Sequence, residues 1–351
     1  MNIKDYIMQE NTNSVNLDNE ADVLVIAQSS YFQFEKERDF NFPIKLSEVI
    51  IDTETNHKNR MKKANQSLIQ LMVQSERFGA LEIIDFESNI DDRNEQQFSA
   101  ITYLVNRKVL CIAFRGTDST VTGWKEDLNM SFSEQIPSQI LGVQYVNRLL
   151  SQYDYPVYIC GHSKGGNIAV FSSAFCEKNV KERIIKVYNF DGPGFHSNIL
   201  SKSEYIEILP KIVKYIPKAS IIGKLMDTHE KEIIVKSNQI SIFQHDVFNW
   251  IVEGNQLARV QDISKPARHF SKSLQKWLEE ITDAQRKYVI DELYTGFKLL
   301  NIDTFEDVWQ FLTINTLKTL VAVFNSTDPE FKIYLKRIAK QFILLMIDFK
   351  E

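Results

Sequence analysis

The chain has 351 residues, 44% of them hydrophobic and 25% charged, with a formal net charge of −5. Those values fit a globular chain of one large or two modest domains and exclude a disordered, fibrous or strongly basic nucleic-acid-binding chain. The three cysteines form no CxxC pair, the first residues carry no cationic-then-apolar leader, and no apolar run approaches the ~18 residues of a membrane span, so a reducing, cytoplasmic setting is expected.

Residues 1–100 open on a polar, Asn-rich stretch. Residues 21–27 (ADVLVIA) form a short apolar run compatible with a strand or a helix. Residues 61–82 read as one helix, because Leu68, Leu71, Met72 and Ser75 recur at i, i+3, i+4 and i+7. Residues 98–104 and 108–114 are apolar, β-branched runs separated by Val105-Asn106-Arg107, which is a hairpin pattern. The chain then alternates: helix at 141–152, strand at 157–160, helix at 165–178, strand at 184–190, and further strands at 212–216 and 233–236. Alternation with short, continuously apolar strands predicts an α/β fold with a mostly parallel central sheet flanked by helices.

From about residue 266 the pattern is helical. Leu274, Trp277, Leu278 and Ile281 repeat at helical spacing, and Thr282-x-x-Gln285 has the form of a capping box. Thr304-x-x-Asp307 is placed to open another helix. Asp328-Pro329 precedes an apolar face of Phe331, Leu335, Ile338 and Phe342. The expected division is a core over 1–265, with a helical and polar N-terminal extension over 1–90, and a helical appendage over 266–351 packed on it. The apolar stretches 205–226 and 338–347 are the segments expected to make any transient contact with a membrane surface, although core packing is the commoner use of such faces.

The strongest local signal is Gly161-His162-Ser163-Lys164-Gly165, set between a strand-like and a helix-like run. A serine on a strained strand-to-helix turn projects its hydroxyl above the sheet, and glycines on both sides admit the close backbone packing that the turn needs. Such a serine requires a base, itself oriented by a carboxylate. Of six histidines, His245 follows an apolar run and lies downstream in a loop able to reach Ser163. His162, inside the turn, is expected to face away and pack. The acid is Asp191, at the carboxyl end of the strand after the serine's, with Asp227 as the rival candidate; Asp246 adjoins His245 and is badly placed to brace it. An oxyanion hole needs two backbone N–H groups, and Lys164 and Thr117 are the candidates, Thr117 in the loop after an earlier strand. Glycine is scarce, 12 in 351 residues against a usual ~7%. Gly116, Gly161, Gly165, Gly166, Gly192 and Gly194 nevertheless all border these three loops.

Phe114-Arg115-Gly116-Thr117, then Trp124 and Asp127-Leu128, then Gly161 to Gly166 resemble the class 3 lipases and their α/β-hydrolase relatives. A bacterial lipase-class-3-like group of unknown substrate is the nearer likeness, through DYI near the start, FRGTD with GWKED, GHSKGGN, FDGPGF and Gln244-His245-Asp246 before Trp250. The resemblance extends from Asp5 into the helical C-terminus. It implies an α/β-hydrolase fold, Ser163 as nucleophile, His245 as base, and Thr117 with Lys164 as the oxyanion hole. It also implies a small-molecule or lipid ester as substrate, with no metal, no organic cofactor and no nucleic acid. Class 3 lipases usually carry their acid in an Asp-x-Val-Pro element, and the matching Tyr215-Ile216-Pro217-Lys218-Ala219 has no aspartate. That departure moves the expectation to Asp191 and leaves a catalytically idle binding or regulatory protein as the alternative reading.

Overall fold

The computed structural model describes residues 1–9, 14–34, 41–51, 60–118, 120–279, 281–299, 302, 304 and 332. In chain order its elements are α1 (Ile3–Met8), α2 (Glu20–Ser29), β1 (Ile44–Lys45), α3 (Arg60–Gln74), α4 (Glu76–Gly79), β2 (Glu82–Asp91), β3 (Gln96–Val105), β4 (Val109–Phe114), α5 (Val121–Asn129), α6 (Pro137–Gln152), β5 (Val157–His162), α7 (Lys164–Phe175), α8 (Lys178–Glu182), β6 (Ile184–Phe190), α9 (Ser197–Leu200), α10 (Ser203–Ile208), β7 (Ile212–Pro217), β8 (Lys231–Val235), β9 (Val252–Glu253), β10 (Gln256–Leu257), α11 (Lys265–Glu279) and α12 (Asp283–Leu299).

One sheet runs β1 to β8 in sequence order. Its first four strands pair antiparallel, and β4 to β8 pair parallel. The β3–β4 turn places Asn106 at φ 52° and Arg107 at φ 54°, the left-handed pair that a tight hairpin of right-twisted strands requires. Each parallel strand is added at the same edge. Right-handed crossovers therefore put the connecting helices on one face and leave the other to be covered by something else.

The strand side chains alternate accordingly. Leu110, Ile112 and Phe114 of β4, with Val157 and Ile159 of β5, pack with residues of α6, α7 and α10. Cys111, Ala113, Tyr158 and Cys160 point the other way, into a core shared with Ile3, Tyr6, Leu24, Ile26, Leu68 and Met72. The N-terminal segment is thus the second helical layer. Helices α1, α2 and α3 pack on this sheet face together with Val247, Phe248, Trp250 and Val252, and the same segment of chain supplies β1 and most of β2. All three cysteines are buried and free.

Several local expectations change. Residues 21–27 are helical, and every residue from Ala21 to Ser30 is buried; a helix buried on all sides loses the polar face by which periodicity reveals it. The helix expected over 61–82 ends at Gln74. Ser75 caps α4 by accepting the Phe78 N–H at 3.4 Å, and the chain from Glu82 is strand. Short serine side chains compete for backbone N–H groups and so end helices as readily as they continue them. Within 205–226, Tyr205, Ile208, Ile212, Tyr215 and Ile216 are buried, whereas Ile206 is exposed. The Thr282–Gln285 capping box is present, with bonds of 3.0 and 3.2 Å. Beyond it α12 lies on α5, through Lys125–Asp291 at 2.9 Å and the Tyr294 ring under the Lys125 ammonium at 4.4 Å. Thr304 bridges Thr120. The side chains of Leu274, Trp277 and Leu278, together with Asp307, Asp328-Pro329, Phe331, Leu335, Phe342 and residues 338–347, lie outside the described residues. No helix among the described residues is long and apolar enough to cross a membrane.

Candidate active site

Four strand ends converge at one edge of the sheet. Ser163 follows β5, Asp191 follows β6, the loop from Arg115 follows β4, and His245 lies in the segment after β8. Carboxyl ends of parallel strands are where open α/β sheets place their working groups.

Ser163 sits at φ 58°, ψ −132° as the residue before α7, a conformation that costs a non-glycine residue ~1–3 kcal/mol and persists only where the surroundings impose it. Here the surroundings are backbone against backbone. A Cβ on Gly161 would lie 2.2 Å from the Gly165 carbonyl, and one on Gly165 would lie 2.2 Å from the Phe114 carbonyl oxygen. The Ser163 N–H donates to the Phe190 carbonyl at 2.9 Å, which ties the turn to β6.

His245 Nε2 is 3.0 Å from Ser163 Oγ, and His245 Nδ1 is 2.7 Å from Asp191 Oδ2. A carboxylate only accepts, so Nδ1 carries the hydrogen, and Nε2 is left as the acceptor facing the serine hydroxyl. Asp191 is fully buried and also holds φ 54°. Its Oδ1 accepts from Ser220 Oγ at 2.5 Å, and Ser220 in turn accepts the Gly223 N–H at 3.1 Å. Asp227 forms a backbone bridge with Phe195, and the carboxylate bonded to His245 is that of Asp191. Asp246 caps the next turn, accepting the Phe248 N–H at 3.0 Å. The loop carrying His245 is pinned by Gln244, whose side chain bonds Ala219 N–H and the Gln239 carbonyl, and by the buried Trp250 indole, which donates to the Gln244 carbonyl at 2.7 Å.

The loop after β4 is held as firmly. Arg115 donates to the carbonyls of Ser30 at 2.6 Å and Phe32 at 2.8 Å. Thr117 Oγ1 donates to Asp127 Oδ2 at 2.5 Å. Within the described residues, the backbone N–H groups of Thr117 and Lys164 donate to no protein acceptor.

Sequence reasoning missed the network beneath this loop. Lys164, named for its backbone, has a side chain with no exposure at all. Its Nζ donates to Glu126 Oε2 at 2.7 Å, to the Gln97 carbonyl at 2.9 Å and to Gln97 Oε1 at 3.0 Å. Gln97 Oε1 also accepts the Asp118 N–H at 3.4 Å, so one amide links the lysine to the loop. Gln97 and Lys164 are 67 residues apart, and neither stands in a motif that announces the other. The one available signal is that a lysine opens an otherwise apolar, small-residue helix, and such a lysine is seldom buried without a partner.

His162 also departs from expectation. Its ring does not face away from His245: the two ring centroids lie 4.6 Å apart.

Burial pushes the Asp127 carboxyl up to about 6, against the pull of Lys164, and its Oδ1 has no hydrogen-bond partner among the described residues. From pH 4 to pH 6 the folded chain therefore holds a proton that the unfolded chain has lost, and stability falls as pH rises through that window. Asp127→Asn keeps an oxygen for Thr117 and removes the titration. Its stability relative to wild type should improve by about 2 kcal/mol between pH 4 and pH 7, read by urea denaturation at both values. A constant difference would contradict the assignment.

The model of the Mbeg1-like family matches residues 72–295. Solved structures similar to the chain include a Rhizomucor miehei lipase–propeptide complex (15% identity, 47% of this chain, 58% of that one, TM-score 0.36). A fungal lipase matches at 13% identity, covering 69% of this chain and 84% of that one with a TM-score of 0.43. A mutant form of MDLA from Penicillium cyclopium matches at 13% identity over 68% of this chain and 83% of that one, with a TM-score of 0.42. The match to the Rhizomucor miehei structure thus spans less than two thirds of its length. No curated protein matches the chain.

Proposed function

Because the chain belongs to the Mbeg1-like family and has an α/β-hydrolase fold, we propose that it is a serine hydrolase that cleaves an ester or acyl bond of a small-molecule or lipid substrate. The observation that carries this reading is the continuous line from Ser163 Oγ through His245 to Asp191, at 3.0 and 2.7 Å.

In this reading His245 Nε2 takes the hydroxyl proton as Ser163 Oγ attacks the substrate carbonyl carbon. The carbonyl electron pair moves onto oxygen, and the N–H groups of Thr117 and Lys164 receive the resulting oxyanion. Asp191 holds the base in the tautomer that can accept, and stabilises the imidazolium that forms. His245 then returns the proton to the leaving alcohol, and an acyl group stays on Ser163. A water then enters and gives a proton to His245 as it attacks the acyl carbon; the acyl–Oγ bond breaks, His245 returns that proton to Ser163 Oγ, and the acid leaves. Preorganised donors in a site of low solvent access supply the largest share of the barrier reduction. Ser163 is 8% exposed.

A fluorophosphonate probe forms a phosphyl ester with an activated serine. The wild-type protein should be labelled stoichiometrically, and Ser163→Ala should not be labelled. Absence of labelling on folded wild-type protein would favour the catalytically idle reading.

A further inference from the structure

Three loops must keep a common geometry for the proposed chemistry, and one hydrogen-bonded chain joins them from outside the reacting groups. The Gly116 backbone packs directly against the Tyr31 hydroxyl. The Tyr31 hydroxyl lies 3.0 Å from His162 Nδ1 and 3.2 Å from the His162 carbonyl. At the far side of the same ring, His162 Nε2 lies 2.9 Å from the His245 carbonyl oxygen.

The proton positions follow from chemistry. A carbonyl only accepts, so Nε2 bears the hydrogen. The ring is buried and beside His245, and both effects hold its pKa well below the usual range, so it is neutral. Nδ1 is then a lone pair, and the Tyr31 hydroxyl donates to it. Tyr31 is itself fixed from both neighbours, because Arg115 grips the carbonyls of Ser30 and Phe32. A Cβ on Gly116 would lie 2.0 Å from the Tyr31 oxygen, so glycine is required where the loop meets it.

We propose that Tyr31 and His162 are positioning residues of the hydrolytic site: they carry the register of the Gly116–Thr117 loop across the serine turn to the backbone of His245. This rests on the hydrolase reading above. The chain sets the height and ring plane of the base through its own carbonyl, and the His162 ring backs the His245 ring while charge develops there. It explains why the residue before the serine is a histidine and not merely a residue that fills space.

The test uses the full chain and a short p-nitrophenyl ester. Tyr31→Phe should lower kcat roughly tenfold with KM unchanged, and His162→Phe roughly a hundredfold; these are the usual scales for losing one or two interactions that orient a catalytic group. Gln reaches about as far as the imidazole Nε2, and Asn only about as far as Nδ1. His162→Gln should therefore recover most of the loss, and His162→Asn should not. Tyr31→Phe should have little further effect in the His162→Phe background, since a chain cut once is not cut again. Independent multiplication of the two effects, equal activity of the Gln and Asn variants, or a change in KM alone would overturn the proposal.

A readout independent of turnover separates it from the hydrolase reading. In ¹⁵N spectra of the imidazole rings, His162 should be the neutral Nε2–H form, and Tyr31→Phe should move the His245 ring signals. An Nδ1–H form of His162, or unmoved His245 signals, would overturn the proposal even if the wild type hydrolyses esters. Failure of the wild type to react with the probe would instead count against the hydrolase reading.

Discussion

Asp191→Asn should lower turnover of an activated ester and the rate of fluorophosphonate labelling by about 10⁴ with little change in fold, the size of effect seen when a triad acid is made an amide. The hydrogen bonds around Asp191 give the reason. Ser220 Oγ accepts the Gly223 N–H, so its single hydrogen goes to Asp191 Oδ1. In the variant that hydrogen keeps the amide oxygen toward Ser220 and turns the amide nitrogen toward His245. His245 Nδ1 must then accept, the ring hydrogen moves to Nε2, and a protonated Nε2 faces Ser163. The geometry survives and the base is in the wrong tautomer. Side-chain volume is preserved at a fully buried position, so the loss should appear in rate and not in denaturation midpoint. A variant within tenfold of wild type would mean that His245 is oriented by something other than Asp191.

The second large effect is on stability. Glu126 accepts four hydrogen bonds, from Lys164 Nζ at 2.7 Å, Gln97 N at 3.0 Å, Ser138 N at 2.9 Å and Ser138 Oγ at 2.6 Å. Both side chains of the ion pair are without exposure. Removing one partner of such a pair leaves an uncompensated charge and typically costs 3–5 kcal/mol. The two halves should differ. Lys164→Met leaves a carboxylate that still has three donors. Glu126→Leu leaves a buried ammonium with neutral acceptors only, and orphans the N–H groups of Gln97 and Ser138. Glu126→Leu should therefore be the worse of the two, at about 5 kcal/mol against about 3 kcal/mol. Urea denaturation of both variants checks the order; equal midpoints, or a wild-type midpoint for either, would contradict it. Because Lys164 opens α7 and Glu126 lies in α5, the same pair fixes the Ser163 turn against the loop that carries Thr117.

Physical legibility divided along a clear line. Ser163, Gly161 and Gly165 were readable because their demands are local: a strained turn accepts few residue types, and its glycines meet backbone within a few positions of one another. The parallel strands from Val109 onward were readable for the same reason, since a strand buried on both faces must be continuously apolar. The buried α2 was not, because an all-apolar helix and a buried strand share one composition. The strand from Glu82 was hidden by a helical pattern that Ser75 had already ended.

The local chemistry of this chain follows from its sequence alone: which turn is strained, where glycine is obligatory, and that the central sheet is mostly parallel. Only the tertiary structure decided which carboxylate meets His245, that helices α1 to α3 pack on a sheet face, and that Tyr31, Gln97 and Glu126 stand behind the site. Those contacts join Tyr31 to His162 across 131 residues and Lys164 to Glu126 across 38. A hydrogen bond at such separation leaves no periodicity in the sequence, because its partners are chosen by the packing of layers and not by the spacing of neighbours.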